Sequence, residues 1–350
     1  MCRTERNKVI PSGEEGENLA RRLIICLLGL LCLTGSVCAQ TLRFAETLQS
    51  SDPRVKAEME FARLLEERTQ GRVQLEIYPA GTLYGTEEGI LEALSKGDIA
   101  LGRVSTQTAS SAAPELRILQ LPYLFKNREH LWSVLDGAVG QEFLDRISAN
   151  RPELTGLCYF DAGAEHFALR EKRTLALEGL MISAAREITK DLVTLLGGTA
   201  MHVGRHEVYA GLAQGVFAGA AETLWNYWDT GDYDAAPVLI EDAHDMAPDL
   251  VLASELVLEG MSPEDRALVE QAAFEMEAWE REAWQSAEKE CRRKLEKAGV
   301  SFIALSQERR QELFSQALHD TDRLGESLYD RWGGEWMDLV AQVLLVREEY

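Results

Sequence analysis

Cysteine is scarce in this chain and poorly placed for chemistry. Of six cysteines in 350 residues, four fall within the first 39. No CxxC pair exists, and no Cys/His spacing matches a zinc site. Cys158 and Cys291 remain; they read as two buried free thiols, with a disulfide as the alternative. His202 and His206 stand four apart, as ligands on one helix would. Gly204 between them argues instead for a loop entering a helix, so neither a metal nor any cofactor is expected.

Positive charge is also in short supply: 36 Lys and Arg against 58 Asp and Glu, a formal charge of -22. Setting aside residues 1–39, with five basic and four acidic side chains, leaves 31 against 54, or -23. Such a chain makes a poor partner for nucleic acid or an anionic membrane surface. Most of the charges are spread along helical faces, where they serve solvation.

Long apolar runs are missing too. The run 23–33 is too short to span a bilayer comfortably. It follows Arg21 and Arg22 and precedes Val37-Cys38-Ala39, a small-x-small cleavage pattern. Residues 1–39 therefore read as an export signal, with Gln40 as the mature N-terminus. An uncleaved anchor is the alternative. Cys38 follows Val37, where a lipid-attachment site would carry a small residue. There is no internal repeat and no low-complexity linker.

What is present is an alternation of strand and helix patterns. "TLRFAE" (41–46) and "RVQLEIYP" (72–79) alternate like strands, and "DIALGRVST" (98–106) reads as a buried one. Helical segments start near Pro53 and Glu87, giving a βαβαβ unit and a mostly parallel sheet. A second set of short strands follows: "TGLCYF", "EHFALR", "LMISAA", "TAMHV", "VFAGAAE", "PVLIEDA" and "DLVLASE". Then comes one long helix, with Ser262 as N-cap, Pro263 at its first position and Gly299 as its stop. At 1.5 Å per residue it spans roughly 50 Å, more than one domain of this size. The reading is an α/β protein of two domains with a cleft between them. Residues 40–160 plus about 249–288 form the first domain, and 161–248 plus about 289–350 the second. Helix 263–298 runs along both.

Five ordered blocks resemble the solute-binding proteins of TRAP (tripartite ATP-independent periplasmic) transporters. They are residues 61–106, 119–143, "HEVYAGLAQGVF" (206–217), "ETLWNYWDTGDYDAA" (222–236) and "MSPEDRALVEQAA" (261–273). The resemblance implies the two-domain periplasmic-binding-protein fold. It also implies a periplasmic receptor that captures one small molecule and delivers it to membrane permease subunits. A monomer is expected.

Members of that family typically bind organic acids through an Arg ending a "GLKIR"-type strand, an Arg in a "GxR.F" segment and Asn in an "ENN" segment. Here "GLMIS" puts Ser183 at the first Arg, "GAEHF" puts Glu165 at the second, and "ETLW" puts Thr223 and Leu224 at the Asn pair. Glu222 and Trp225 match. Ser cannot reproduce a bidentate guanidinium fork, and Glu165 reverses a charge. Three readings follow. Arg186 or Arg103 could rescue an acidic ligand. A neutral or cationic ligand could use Glu165, Glu222, Trp225, Tyr227 and Trp228. Or the fold could serve as a ligand-sensing or partner-binding module without transport. An enzyme is not expected, because Ser183, His166 and His206 lack the spacing of a nucleophile and its base.

Overall fold

The computed structural model describes residues 39–348 and 350. The export signal expected over 1–39 therefore lies almost wholly outside the described residues.

Thr41–Tyr350 forms one compact unit containing two sheets. The first lobe begins β1 (Gln40–Ala45), α1 (Pro53–Arg68), β2 (Val73–Tyr78), α2 (Glu87–Lys96) and β3 (Leu101–Ser105). Local signals set these ends. Asp52 caps α1 by accepting from the Arg54 amide at 3.0 Å, with Pro53 at the first position. Thr86 caps α2, and Gly97 closes it in the left-handed region at φ 75°. After α3 (Arg128–Leu135) and α4 (Ala138–Asn150), β4 (Leu154–Phe160) takes the far edge.

The chain then builds the second lobe. β5 (Glu165–Leu169) and β6 (Met181–Ser183) precede α5 (Glu187–Leu195), β7 (Thr199–Met201) and α6 (Arg205–Gln214). β8 (Gly219–Thr223), α7 (Leu224–Asp229) and β9 (Val238–Asp245) follow. β10 (Asp249–Ser254) returns to the first sheet. α8 (Pro263–Ala298), β11 (Ser301–Ala304), α9 (Gln307–His319) and α10 (Met337–Glu348) complete the chain.

The first sheet has the order β2-β1-β3-β10-β4, the second β11-β9-β5-β8-β6-β7. Both are mixed, which corrects the mostly parallel sheet expected from the alternation. β1 and β3 are parallel, but β10 runs antiparallel to both β3 and β4 because it enters from the other lobe. In the second sheet β5 runs antiparallel to β8 and β9.

α8 spans both lobes. Near its start Val269, Ala272, Ala273 and Met276 pack with Phe44, Phe61, Leu65 and Val251 of the first lobe. Near its end Cys291 and Leu295 pack with Leu212, Leu224 and Leu239 of the second. Each fully buried aliphatic side chain contributes about 1.5–3 kcal/mol of transfer free energy. Between these ends Trp284 is buried beside Gly163, which lies on the β4–β5 crossing at φ 78°. A Cβ on Gly163 would lie 2.9 Å from the Trp284 ring, so this crossing requires glycine. Cys158 and Cys291 are buried free thiols.

Candidate functional site

Register sets the polar end of the second lobe. Glu165 pairs with Thr223 on one side and Asp245 on the other, His166 with Glu222, and Ser183 with Ala220. The chain leaves β6 and enters α5 with Arg186 at the N-cap. From there the guanidinium reaches back. Nε lies 3.3 Å from Glu165 Oε1, and Nη1 donates to Asp245 Oδ2 at 2.7 Å. Thr189 donates to Glu165 Oε2 at 3.1 Å. His244 places Nε2 3.7 Å from that oxygen and Nδ1 2.9 Å from Asp242 Oδ2, and its ring stacks on Phe167.

Burial alone would raise the Glu165 carboxyl. The Arg186 charge, helped by His244 and Thr189, pulls it down to about 2 instead. Burial also opposes charge on His244, but Asp242 and Glu165 hold its imidazolium up to about 10. By formal charge, two cations face the three carboxylates Glu165, Asp242 and Asp245. Glu222 is different: burial, with Asp232 and Glu165 nearby, pushes its carboxyl well above the usual carboxylate range.

Beside Arg186 the seam between the lobes leaves only about 10 Å³, lined by Ser105, Gln120 and Asp249 among others. That is about the space one water needs. The backbone N–H of Glu187 donates to Gln107 Oε1 across this seam at 3.4 Å. A cavity fit for a solute lies elsewhere in the cleft, with a volume of about 510 Å³. The loop after β1 supplies Thr47, Gln49 and Asp52, and α6 and α7 supply Arg205, His206 and Trp225. Arg205 is half-committed, donating to the exposed Asp229 at 3.1 Å. Asp52 is taken by Arg54 at 2.9 Å.

The chain from residue 44 to 326 matches the family model for bacterial extracellular solute-binding protein, family 7. The chain belongs to that family. It is 24% identical over 312 residues to the C4-dicarboxylate-binding protein DctB of Bacillus subtilis, covering 88% of this chain and 86% of that one. It is 26% identical over 239 residues to the 2,3-diketo-L-gulonate-binding periplasmic protein YiaO of Escherichia coli, covering 67% and 72%. Among solved structures, it is similar to a TRAP periplasmic solute binding protein from Xanthobacter autotrophicus with bound β-D-galacturonate. That likeness has a TM-score of 0.74 at 28% identity, over 86% of this chain and 98% of that one. A relative from Ochrobactrum anthropi shares the fold at TM-score 0.81 and 23% identity, over 90% and 98%. The protein is thus an extracytoplasmic receptor of the TRAP type that works with membrane permease components; its task is capture, not catalysis.

Of the residues singled out from sequence, Glu165 and Arg186 meet each other, and Trp225 lines the cavity. Ser183 and Glu222 are buried on β6 and β8. Thr223 spends its hydroxyl capping α7, accepting from the Asn226 amide at 3.2 Å. Trp228 stacks on Tyr233 at 5.2 Å, with Lys294 over its ring. Arg103 is buried and fully engaged: it donates twice to Glu46 at 2.6 Å, to Glu87 at 2.8 Å and to Asp249 at 3.0 Å. Its role there is to hold the first lobe's strand ends together. His202 lies ahead of α6 and His206 within its first turn, so the two do not share helical spacing. Arg205, Thr47 and Gln49 were not anticipated as lining residues. The helix-start signal Gly204-Arg205 was readable, but nothing local pairs it with the loop after β1.

Proposed function

We propose that this receptor captures a small polar solute carrying no net negative charge, in the cleft that runs from Arg186 and Glu165 to the cavity between Trp225, Arg205 and the loop 47–52. The observation that supports this most is the double engagement of Arg186 by Glu165 and Asp245. Its charge is already compensated, so it offers no net attraction to a ligand carboxylate. A carboxylate entering beside Glu165 meets repulsion instead. The half-buried Trp225 offers an apolar face of the kind that sugars and amines pack against. Calorimetry against hexoses, polyols, amines, D-glucuronate, D-galacturonate and succinate tests the reading. A neutral or cationic solute should bind, with affinity lost in Trp225→Ala. Micromolar binding of the acids, abolished by Arg186→Gln or Arg205→Gln, would refute it.

The same reading includes export, domain closure and a monomeric state. Cleavage after Ala39 predicts a mature chain starting at Gln40, checked by N-terminal sequencing of periplasmic protein. The lobes 40–160 with about 249–288, and 161–248 with about 289–350, are taken to close on the solute as bodies. Light scattering during gel filtration should give a monomer mass.

A further inference from the structure

Among the described residues, cations without acidic partners gather at one place outside the cleft. The loop before α3, the first turn of α9 and the end of α10 enclose a cavity of about 320 Å³. Lys126, Arg310, Gln311 and Arg347 line it. Arg347 is buried; Nη1 donates to the carbonyls of Tyr123 and Leu124, and Nη2 to Gln311 Oε1 at 3.1 Å. The Phe314 ring covers one face of its guanidinium at 4.1 Å. Arg310 donates to the carbonyl of Lys126 at 2.8 Å and that of Phe125 at 3.3 Å. Its buried Nε has no partner.

Both guanidiniums therefore rest on neutral acceptors. Among the described residues no carboxylate lies within ion-pair distance of Arg310, Arg347 or Lys126, whereas the adjacent Arg309 has Glu312 at 2.8 Å. Glu308 also lines the cavity, and its carboxyl, held below the usual carboxylate range by its own backbone N–H and the Ser306 side chain, makes no ion pair with these cations. Burial depresses Arg310, and burial together with the Arg310 charge brings Arg347 down to about 10. Two like charges held together in a low dielectric are unfavourable unless a counter-charge joins them. The α9 N-terminus adds its own partial positive charge.

We infer that this cavity binds a small oxyanion of the phosphate or sulfate class, taken by the Lys126 ammonium and the cavity-lining edge of the Arg310 guanidinium, with Arg347 behind them. Guanidinium groups suit oxyanions through planar, charge-assisted hydrogen bonds. The site is separate from the solute cavity, and its occupant stabilises the contact of α9 and α10 with the loop before α3.

The test is calorimetry of sodium phosphate and sodium sulfate into the purified full chain, in chloride buffer of constant ionic strength. One saturable site is expected. Lys126→Gln and Arg310→Gln should each weaken it at least about tenfold, as loss of one charge-assisted contact predicts. Arg309→Gln, whose charge is already paired, should leave affinity within about twofold. If Arg310→Gln fails to fold by circular dichroism, Lys126→Glu carries the test alone. An absence of binding by the wild-type chain overturns the inference, as does binding that all the variants retain.

Discussion

Replacing Arg186 by Gln isolates the interaction that sets the character of the cleft. The substitution keeps much of the side chain's length but removes the charge facing Glu165 and Asp245. In the folded wild type, burial is overridden by Arg186 first and His244 second, bringing Glu165 from 4.5 to about 2. At 1.36 kcal/mol per tenfold change in proton affinity, that fall amounts to about 3 kcal/mol. His244 and Thr189 supply part of it and Arg186 is partly exposed, so about 2 kcal/mol is the expected loss at pH 7. The sign with pH follows from the depressed carboxyl. Its stabilisation is complete above pH 4.5 and is lost as pH falls through about 2. The gap between wild type and variant should therefore be widest at neutral pH and narrow steadily below pH 4.5. Urea unfolding at a series of pH values measures it. A variant within about 0.5 kcal/mol of wild type at pH 7, the ordinary scatter of surface substitutions, would refute the reasoning. So would a gap that stays constant down to pH 3.

Other outcomes follow from the same side chains. Histidine NMR should show His244 as an imidazolium through pH 8, titrating near 10, while His130, desolvated by burial, stays neutral down to about 4. His244 thus contributes stability that is whole below pH 6.5 and lost as pH rises through about 10. Glu222→Gln should leave stability at pH 7 unchanged or raise it by up to about 1 kcal/mol, since burial disfavours the charged form of this carboxyl and the amide carries no charge to desolvate. A loss above about 2 kcal/mol in urea unfolding would show that a charged Glu222 is needed. The radius of gyration from small-angle scattering should fall when the solute is added, and an unchanged curve at saturation would contradict closure.

The parts of the fold legible in sequence were those with local signals. Ser262, Pro263 and Gly299 marked both ends of α8 because capping and left-handed closure depend on neighbouring residues alone. β11 had no such mark: four partly exposed residues pair with β9, far away in the chain, and little in "SFIA" separates it from a loop. Strand direction was hidden for the same reason, since β10 runs against β3 only because the chain first visits the other lobe. At the site, residue matching found Ser183, Glu165 and Glu222, but the Arg186–Glu165 contact depends on the register of β5 and the turn out of β6. The cavity itself joins Thr47 and Gln49 to Arg205 and Trp225. Nothing within either segment encodes that meeting.

The central claim is that the solute held in this cleft is not anchored by a carboxylate. Mass spectrometry of the small molecules released on denaturing the protein, purified from the cells that make it, tests this most directly. The account predicts a neutral or cationic polar solute in amounts comparable to the protein. A uronate or dicarboxylate recovered in that amount would contradict it, and would mean that Arg186 or Arg205 leaves its carboxylate partner for the ligand.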